Sequence, residues 1–347
     1  MRVRLSPLAS AITWALWWTP ASLATAQQPA LRGSVISAET HEPLGFSIVT
    51  LIPTSSKRFT DAAGRFTFPE LPPGTYLLSA RQIGYTPLDT QIVVRADSAT
   101  TVLAVLRLVA IELPPVTITA RALCTNPGAP DPNTVPALAA VFDQLQENAR
   151  RFALLADSFP FDYELEQTLR SVSVRGDTLR PSVRTLRLGS RDDRPYEVGQ
   201  VVTPGRGAWE GVWIVRTPSL EEFGNAAFVK HHCFFLAGRD TIEGRTLVRI
   251  DFEPASRLAW ADMAGSAYLD SSTYELRFTE SSLTHPERSQ LTEVGTMVTR
   301  TRFRQIGRGI PVQDYLRAVT TFRWGGWGRR IETQRTIDVR FKRGPPH

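Results

Sequence analysis

The sequence predicts a mainly β protein: a small N-terminal β-sandwich, one amphipathic helix and a large curved antiparallel sheet. Three observations carry this expectation. From Leu31 to Leu108, short apolar stretches alternate with turn residues at sandwich spacing. One later run, Val135 to Phe152, has apolar residues at three- and four-residue intervals. Beyond Phe161, long strand-like segments alternate with turns as far as Lys342.

The first element, Met1 to Ala26, has the three parts of a secretory signal peptide. Arg2 and Arg4 open it, an apolar run from Ala9 to Trp18 follows, and Ala24-Thr25-Ala26 closes it before Gln27. Pro20 interrupts the stretch, and the uninterrupted apolar part is well short of the roughly 18–20 residues that a membrane-spanning helix needs. No cysteine follows the expected cleavage site, which disfavours a lipoprotein. Loss of the two arginines lowers the formal charge from +6 to +4, so the mature chain is basic without being strongly so. An exported chain of that charge is not expected to bind nucleic acid.

In the sandwich, candidate strands are Leu31 to Ala38, Phe46 to Ile52, Arg65 to Phe68, Thr75 to Arg81, Thr90 to Val94 and Thr101 to Leu108. Asp61-Ala62-Ala63-Gly64 makes the tight turn before Phe66 and Phe68, which share a face because strand side chains alternate. Leu71-Pro72-Pro73-Gly74 interrupts pairing, since proline has no amide to donate. Tyr76, Leu78 and Ala80 then face inward together, and Gly84 ends the strand. Gly33-Ser34-Val35 with Pro43-Leu44, Thr60-Asp61 with Gly64-Arg65-Phe66, and Leu71-Pro72-Pro73-Gly74-Thr75-Tyr76 with Gly84-Tyr85 closely resemble the carboxypeptidase regulatory-like, transthyretin-like family. The resemblance implies a seven-stranded sandwich used as an accessory or spacer module in envelope proteins, with no catalytic residues of its own. A fold-level analogy supplies no activity.

Residues 111–133 read as a proline-rich linker, with 27–110 before it and 134–347 after it as the two folded domains. Ile111 to Ala120, with Pro114-Pro115, is similar to the connector that follows this sandwich in outer-membrane receptors. Pro127 to Pro136 is a second such stretch. In the helix, Val135, Leu138, Phe142, Leu145, Ala149 and Phe152 form the apolar side, while Asp143, Gln146, Glu147, Arg150 and Arg151 form a polar side expected to face solvent. Asn133 or Thr134 is the expected cap.

The C-terminal sheet is expected to start with a hairpin over Tyr163 to Leu188, turning at Gly176-Asp177. A second hairpin, Ala227 to Phe252, turns at Gly238-Arg239-Asp240. Further strands are expected at Gly265 to Leu269, Thr273 to Thr279, Leu291 to Phe303, Val312 to Arg323 and Arg330 to Phe341. An outer-membrane barrel is disfavoured. Val298, Arg300, Arg302 and Arg304 share one face, and a lipid-facing Arg near the bilayer midplane costs roughly 2–4 kcal/mol. The run Arg245 to Phe252 with Gly265 to Asp270 and Thr273 to Arg277 resembles the middle hairpins of the lipoprotein-carrier-like half-barrel. That resemblance implies a helix across the concave face and a hollow for acyl chains, against the alternative of an ordinary filled core.

No residue constellation specifies a reaction. The five histidines, His41, His231, His232, His285 and His347, form neither His-Glu-x-x-His nor a His-x-x-Glu pair, and no Gly-x-Ser-x-Gly elbow occurs. His231 and His232, read as strand neighbours, point to opposite faces. Gly205-Arg206-Gly207 is a lone glycine turn, so no metal, cofactor or catalytic residue is expected. Cys124 and Cys233 are a candidate disulfide; the alternative is a buried apolar Cys233 and a free Cys124 thiol. Trp209, Trp213, Trp324 and Trp327 are candidate ligand-binding aromatics, weighed against core or turn packing. Arg329, Arg330, Arg335, Arg340, Lys342 and Arg343 make the last strand and tail basic. The expected function is a non-enzymatic periplasmic or outer-membrane-associated binding or scaffold protein without a transmembrane segment in the mature chain. Its partner would be an envelope protein, a lipid or a glycan. The alternative is an envelope hydrolase.

Overall fold

The computed structural model describes residues 31–96, 98–112, 123–191, 196–205, 213–306, 310–324 and 327–342. The expected leader and most of the Ile111 to Ala120 connector lie outside them. Seven strands build the sandwich: β1 (Leu31–Ser37), β2 (Ile48–Ile52), β3 (Ser56–Phe59), β4 (Arg65–Phe68), β5 (Gly74–Arg81), β6 (Leu88–Val94) and β7 (Thr100–Leu106). They form a three-stranded sheet, β4-β1-β7, and a four-stranded one, β3-β2-β5-β6. Phe66, Phe68, Tyr76, Leu78 and Ala80 meet in its core, as their alternation requires. Asp61 holds the turn before β4, its Oδ1 accepting the Ala63 and Arg65 amides at 2.9 Å each. The seventh strand, β3, reads Ser-Lys-Arg-Phe. It lies at a sheet edge, where charged side chains blunt the exposed backbone, and so carries no apolar signal.

Helix α1 (Pro136–Ser158) is longer than its apolar run. Its cap differs from expectation: Val135 is the N-cap and no side chain caps it. Asn133 and Thr134 instead fold back on Asp131, which accepts the Asn133 amide at 2.9 Å, while Thr134 Oγ1 donates to the Asp131 carbonyl. Pro136 in the first turn has no N–H to satisfy, so a side-chain cap is less needed. The polar side also differs from expectation, because Gln144, Glu147, Asn148 and Arg151 are buried together with Leu145 and Ala149.

Nine strands form the second sheet: β8 (Phe161–Ser173), β9 (Ser182–Gly189), β12 (His232–Ile242), β13 (Arg245–Pro254), β14 (Asp262–Asp270), β15 (Leu276–Thr284), β16 (Val294–Ile306), β17 (Ile310–Phe322) and β18 (Trp327–Phe341). Their order is β12-β13-β14-β15-β16-β17-β18-β8-β9, and every pairing is antiparallel. The expected meander is therefore present, with its first hairpin carried round to pair with the last strand. A small separate pair, β10 (Val202–Pro204) and β11 (Trp213–Val215), precedes two short helices, α2 (Leu220–Gly224) and α3 (Ala226–His231).

The second hairpin is corrected in two places. Ala226–His231 is helix, started by Asn225 Oδ1 accepting the Ala227 and Phe228 amides. The turn lies at Glu243-Gly244, both at positive φ (52° and 74°), and Gly238 (φ 96°) sits at a bulge inside β12. A type I′ hairpin turn needs positive φ at both central positions, which Gly238-Arg239-Asp240 does not provide.

One face of the sheet is covered. Val248, Ile250 and Phe252 of β13 and Met263, Ala267 and Leu269 of β14 pack with Leu138, Val141, Phe142, Leu145 and Ala149 of α1. Phe223 of α2 and Phe228 of α3 complete this core.

Candidate functional site

Helix α1 is clamped on both sides, and the contact groups come from three places. From the sandwich, the Gly84 amide donates to Gln144 Oε1 at 2.7 Å, and Gln144 Nε2 donates to the Tyr85 carbonyl at 3.4 Å. Gly84 has φ 83°, where a side chain is strained, and a Cβ there would crowd the Thr273 carbonyl at 3.1 Å. From the second sheet, Asn148 Nδ2 donates to the Tyr274 carbonyl and the Leu276 amide donates to Asn148 Oδ1, both at 2.9 Å. Between them lies a charge cluster. Arg81 of β5 faces Asp143 at 3.5 Å and Glu147 at 3.7 Å, and Arg150 reaches Glu147 at 2.8 Å. The Glu147 side chain is only 3% exposed, so these partners keep its charge from being stranded. Burial pushes the Arg151 guanidinium down, opposed by the charges of Glu275 and Glu147.

The turn that receives Asn148 is itself organised by Asp270. Burial alone would raise the Asp270 carboxyl. The Ser272 hydroxyl and amide, the Thr273 amide and Arg277 outweigh it and hold the group at about 2 instead of 3.8. A depressed carboxylate contributes stability that is complete above its unfolded value and lost as pH falls through the folded one. Stability is therefore expected to decline between about pH 4 and about pH 2 through this group. Asp270→Asn should flatten that part of the acid limb and lower the urea midpoint at neutral pH; midpoints measured at stepped pH check it.

The hollow implied by the half-barrel resemblance is filled. Among the described residues, a pocket of about 60 Å³ lies between α1, α2 and the sheet, lined by residues including Phe152, Phe161, Leu220, Phe303 and Gln313. A cavity of ~150 Å³ admits a single benzene, so this one has no room for an acyl chain. From Gln313 a polar chain runs along the strands. Gln313 donates to Gln334 at 3.2 Å, Gln334 and Gln167 both donate to Glu332, and Arg184 donates to Gln167. Neither the junction nor this chain was read from the sequence. Gln and Asn carry no spacing signal, and their partners lie far away along the chain.

The tryptophans are not gathered by what is described. Trp213 on β11 is 40% exposed and Trp324, in the β17–β18 turn, is 55% exposed. Trp327 pairs through its backbone with Ser173, and Trp209 lies outside the described residues. Trp260, which the pattern missed, is also exposed and lies over Gly199, where a Cβ would sit 3.2 Å from its ring.

The candidate disulfide is present, joining Cys124 to Cys233 with Cα atoms 5.5 Å apart. Both cysteines are buried, and the Cys124 carbonyl accepts the Ser256 amide and hydroxyl at 2.9 Å each. His231 and His232 are corrected from strand neighbours to the end of α3 and the start of β12. Their Nδ1 atoms face the Ala227 and Phe228 carbonyls, at 2.7 and 2.9 Å. His232 is fully buried against the Phe228 ring, with Nε2 3.1 Å from the Met263 carbonyl and 3.7 Å from Asp262. Burial pushes its pKa down against the pull of Asp262 and both carbonyls. Tyr196 donates to the same Asp262, and burial followed by that negative charge drives the phenol well above its ordinary range. Among the described residues, no group of three His, Cys, Asp or Glu side chains could hold a metal ion.

These features define a mainly β protein: a small sandwich, one helix buried against both the sandwich and the second sheet, and a large nine-stranded antiparallel sheet. Residues 30–107 match the family model of the carboxypeptidase regulatory-like domain, as the sandwich motifs implied. Solved structures similar to the chain include a LolA superfamily protein from Nitrosomonas europaea, 10% identical over 58% of this chain and 94% of that one, with a TM-score of 0.31. Another is a DUF1329 family protein from Desulfovibrio piger, 14% identical over 60% and 94%, with a TM-score of 0.32. No curated protein matches the chain.

Proposed function

We propose that this is a non-catalytic binding or scaffold protein of the cell envelope, in which the sandwich and the sheet act as one body and present a joint surface to a partner. The carrying observation is the burial of α1 on both sides. A helix that closes an acyl hollow and must move aside would not be expected to hold a neighbouring domain through Gln144, Glu147 and Asn148. The signal-like segment Met1 to Ala26 and the Cys124–Cys233 bridge support an oxidising compartment outside the cytosol. No helix among the described residues is long and apolar enough to cross a membrane. Native mass spectrometry of the protein isolated from the periplasm and outer-membrane wash tests the reading. The expected species is the chain without residues 1–26, oxidised, and bound to a second macromolecule or free. An acyl lipid retained one-to-one after a high-salt wash, or recovery only from the cytosol with the leader intact, would sink it.

A further inference from the structure

We infer that the part of the nine-stranded sheet formed by β16, β17, β18 and β8, on the face turned away from α1, is a docking surface for an anionic lipid bilayer. This deepens the envelope-binding reading by naming a partner, and rests on it only in placing the protein beside a membrane.

The geometry starts from alternation. In β16, Thr299, Thr301 and Phe303 are buried, so Val298, Arg300, Arg302 and Arg304 stand on the opposite face. Register then extends that face across three more strands. Arg300 lies directly opposite Arg317, Arg302 opposite Tyr315, Tyr315 opposite Arg335, and Ile331 opposite Arg170. Residues paired in this way share a face, with Cβ atoms roughly 5 Å apart, and like charges so placed repel. One field thus holds Arg170, Arg300, Arg302, Arg304, Arg317 and Arg335.

Acids on the sheet answer only part of it. Asp314 pairs with Arg302 and Arg304, at 3.6 and 2.9 Å, and Glu280 and Glu243 lie 3.7 and 3.9 Å from Arg300. Glu166 is in register with Arg335 but makes no ion pair with it. Arg170, Arg317 and Arg335 are exposed and have no ion pair among the described residues. Folding gains nothing from stacking them. Phosphates laid over the field would, because the planar guanidinium takes phosphate oxygens in pairs.

Apolar groups on the same strands select a bilayer over a soluble polyanion. Val298 is 51% exposed among the arginines, Ile337 follows Arg335 along β18 and is 47% exposed, and Trp324 projects from the turn at the end of β17. An amphipathic ring and aliphatic groups beside cations suit the headgroup layer, where one end is apolar and the other wet.

Co-sedimentation of the purified protein with vesicles tests this. Vesicles of equal parts phosphatidylglycerol and phosphatidylethanolamine should retain it, phosphatidylcholine vesicles should not, and salt should release it. The triple variant R170S/R317S/R335S should bind on the order of a hundredfold more weakly, from about fivefold per arginine. It should melt no lower than the parent, since it loses repulsion and no ion pair. Equal retention on neutral vesicles, salt-insensitive retention, undiminished binding by the triple variant, or capture by dextran sulfate without capture by anionic vesicles would each overturn the inference. These assays use defined lipids, so their failure would leave the export and partner experiment above unaffected.

Discussion

Replacing Cys124 and Cys233 with serine, or reducing the bridge, is expected to lower stability by about 4–5 kcal/mol. The two residues are 109 positions apart, and closing a loop of that order removes about this much chain entropy from the unfolded state. The loss should also be structural. Cys124 lies in the segment that leads into α1, and Cys233 lies on β12, an edge of the large sheet. The bridge therefore fixes where the helix begins relative to the strands it covers. Chemical denaturation with and without reductant, beside the double serine variant, measures the effect. Identical midpoints under both conditions would mean that the bridge does not constrain the unfolded chain.

Asn148→Leu is expected to cost about 2–6 kcal/mol, far more than a polar-to-apolar change on a helix surface. The leucine would fill similar space, but the Tyr274 carbonyl and the Leu276 amide would lose their partners in a buried site. Each buried backbone group left unsatisfied costs about 1–3 kcal/mol. Gln144→Leu provides the contrast, because Gln144 bonds to Gly84 and Tyr85 of the sandwich. Its change should loosen the sandwich from the helix and leave the sheet's own contacts in place. Separate melting of the two bodies in Gln144→Leu, against a lower single transition in Asn148→Leu, is the expected calorimetric pattern. A midpoint for Asn148→Leu within error of the parent would refute the account of the junction.

Much of the fold was legible because alternation and punctuation speak locally. Phe66 and Phe68 after Asp61 to Gly64, or Val248, Ile250 and Phe252 along β13, announce a strand and its buried face within a few residues. Four features were not legible. β3 is a charged edge strand. The α2–α3 segment is two short helices started by Ser219 and Asn225, too brief to show a period. The Glu243-Gly244 turn lacks the Asn-Gly or Asp-Gly signal of its geometry, whereas Gly238-Arg239-Asp240 imitates one. The polar side of α1 looked like a solvated face because Glu147 and Arg150 at helical spacing form surface pairs in most helices. The sandwich on one flank and the Tyr274 to Leu276 segment of the large sheet on the other make that side interior. For the candidate site, the cysteine pair was visible and the Gln–Asn junction was not, since each of its bonds joins residues at least 59 positions apart.

The order of the large sheet sets a timetable for assembly. β8, the domain's earliest strand, pairs with β9 and with the last strand, β18, so one of its edges waits for the rest of the sheet to be laid down. Until then β8 and β9 are a lone hairpin, a form that is marginal in water. Such long-range closure is slow and leaves backbone edges open to wrong partners. A chain truncated before β18 should therefore strand its own beginning, and holdase chaperones should protect this protein until β18 is available to pair.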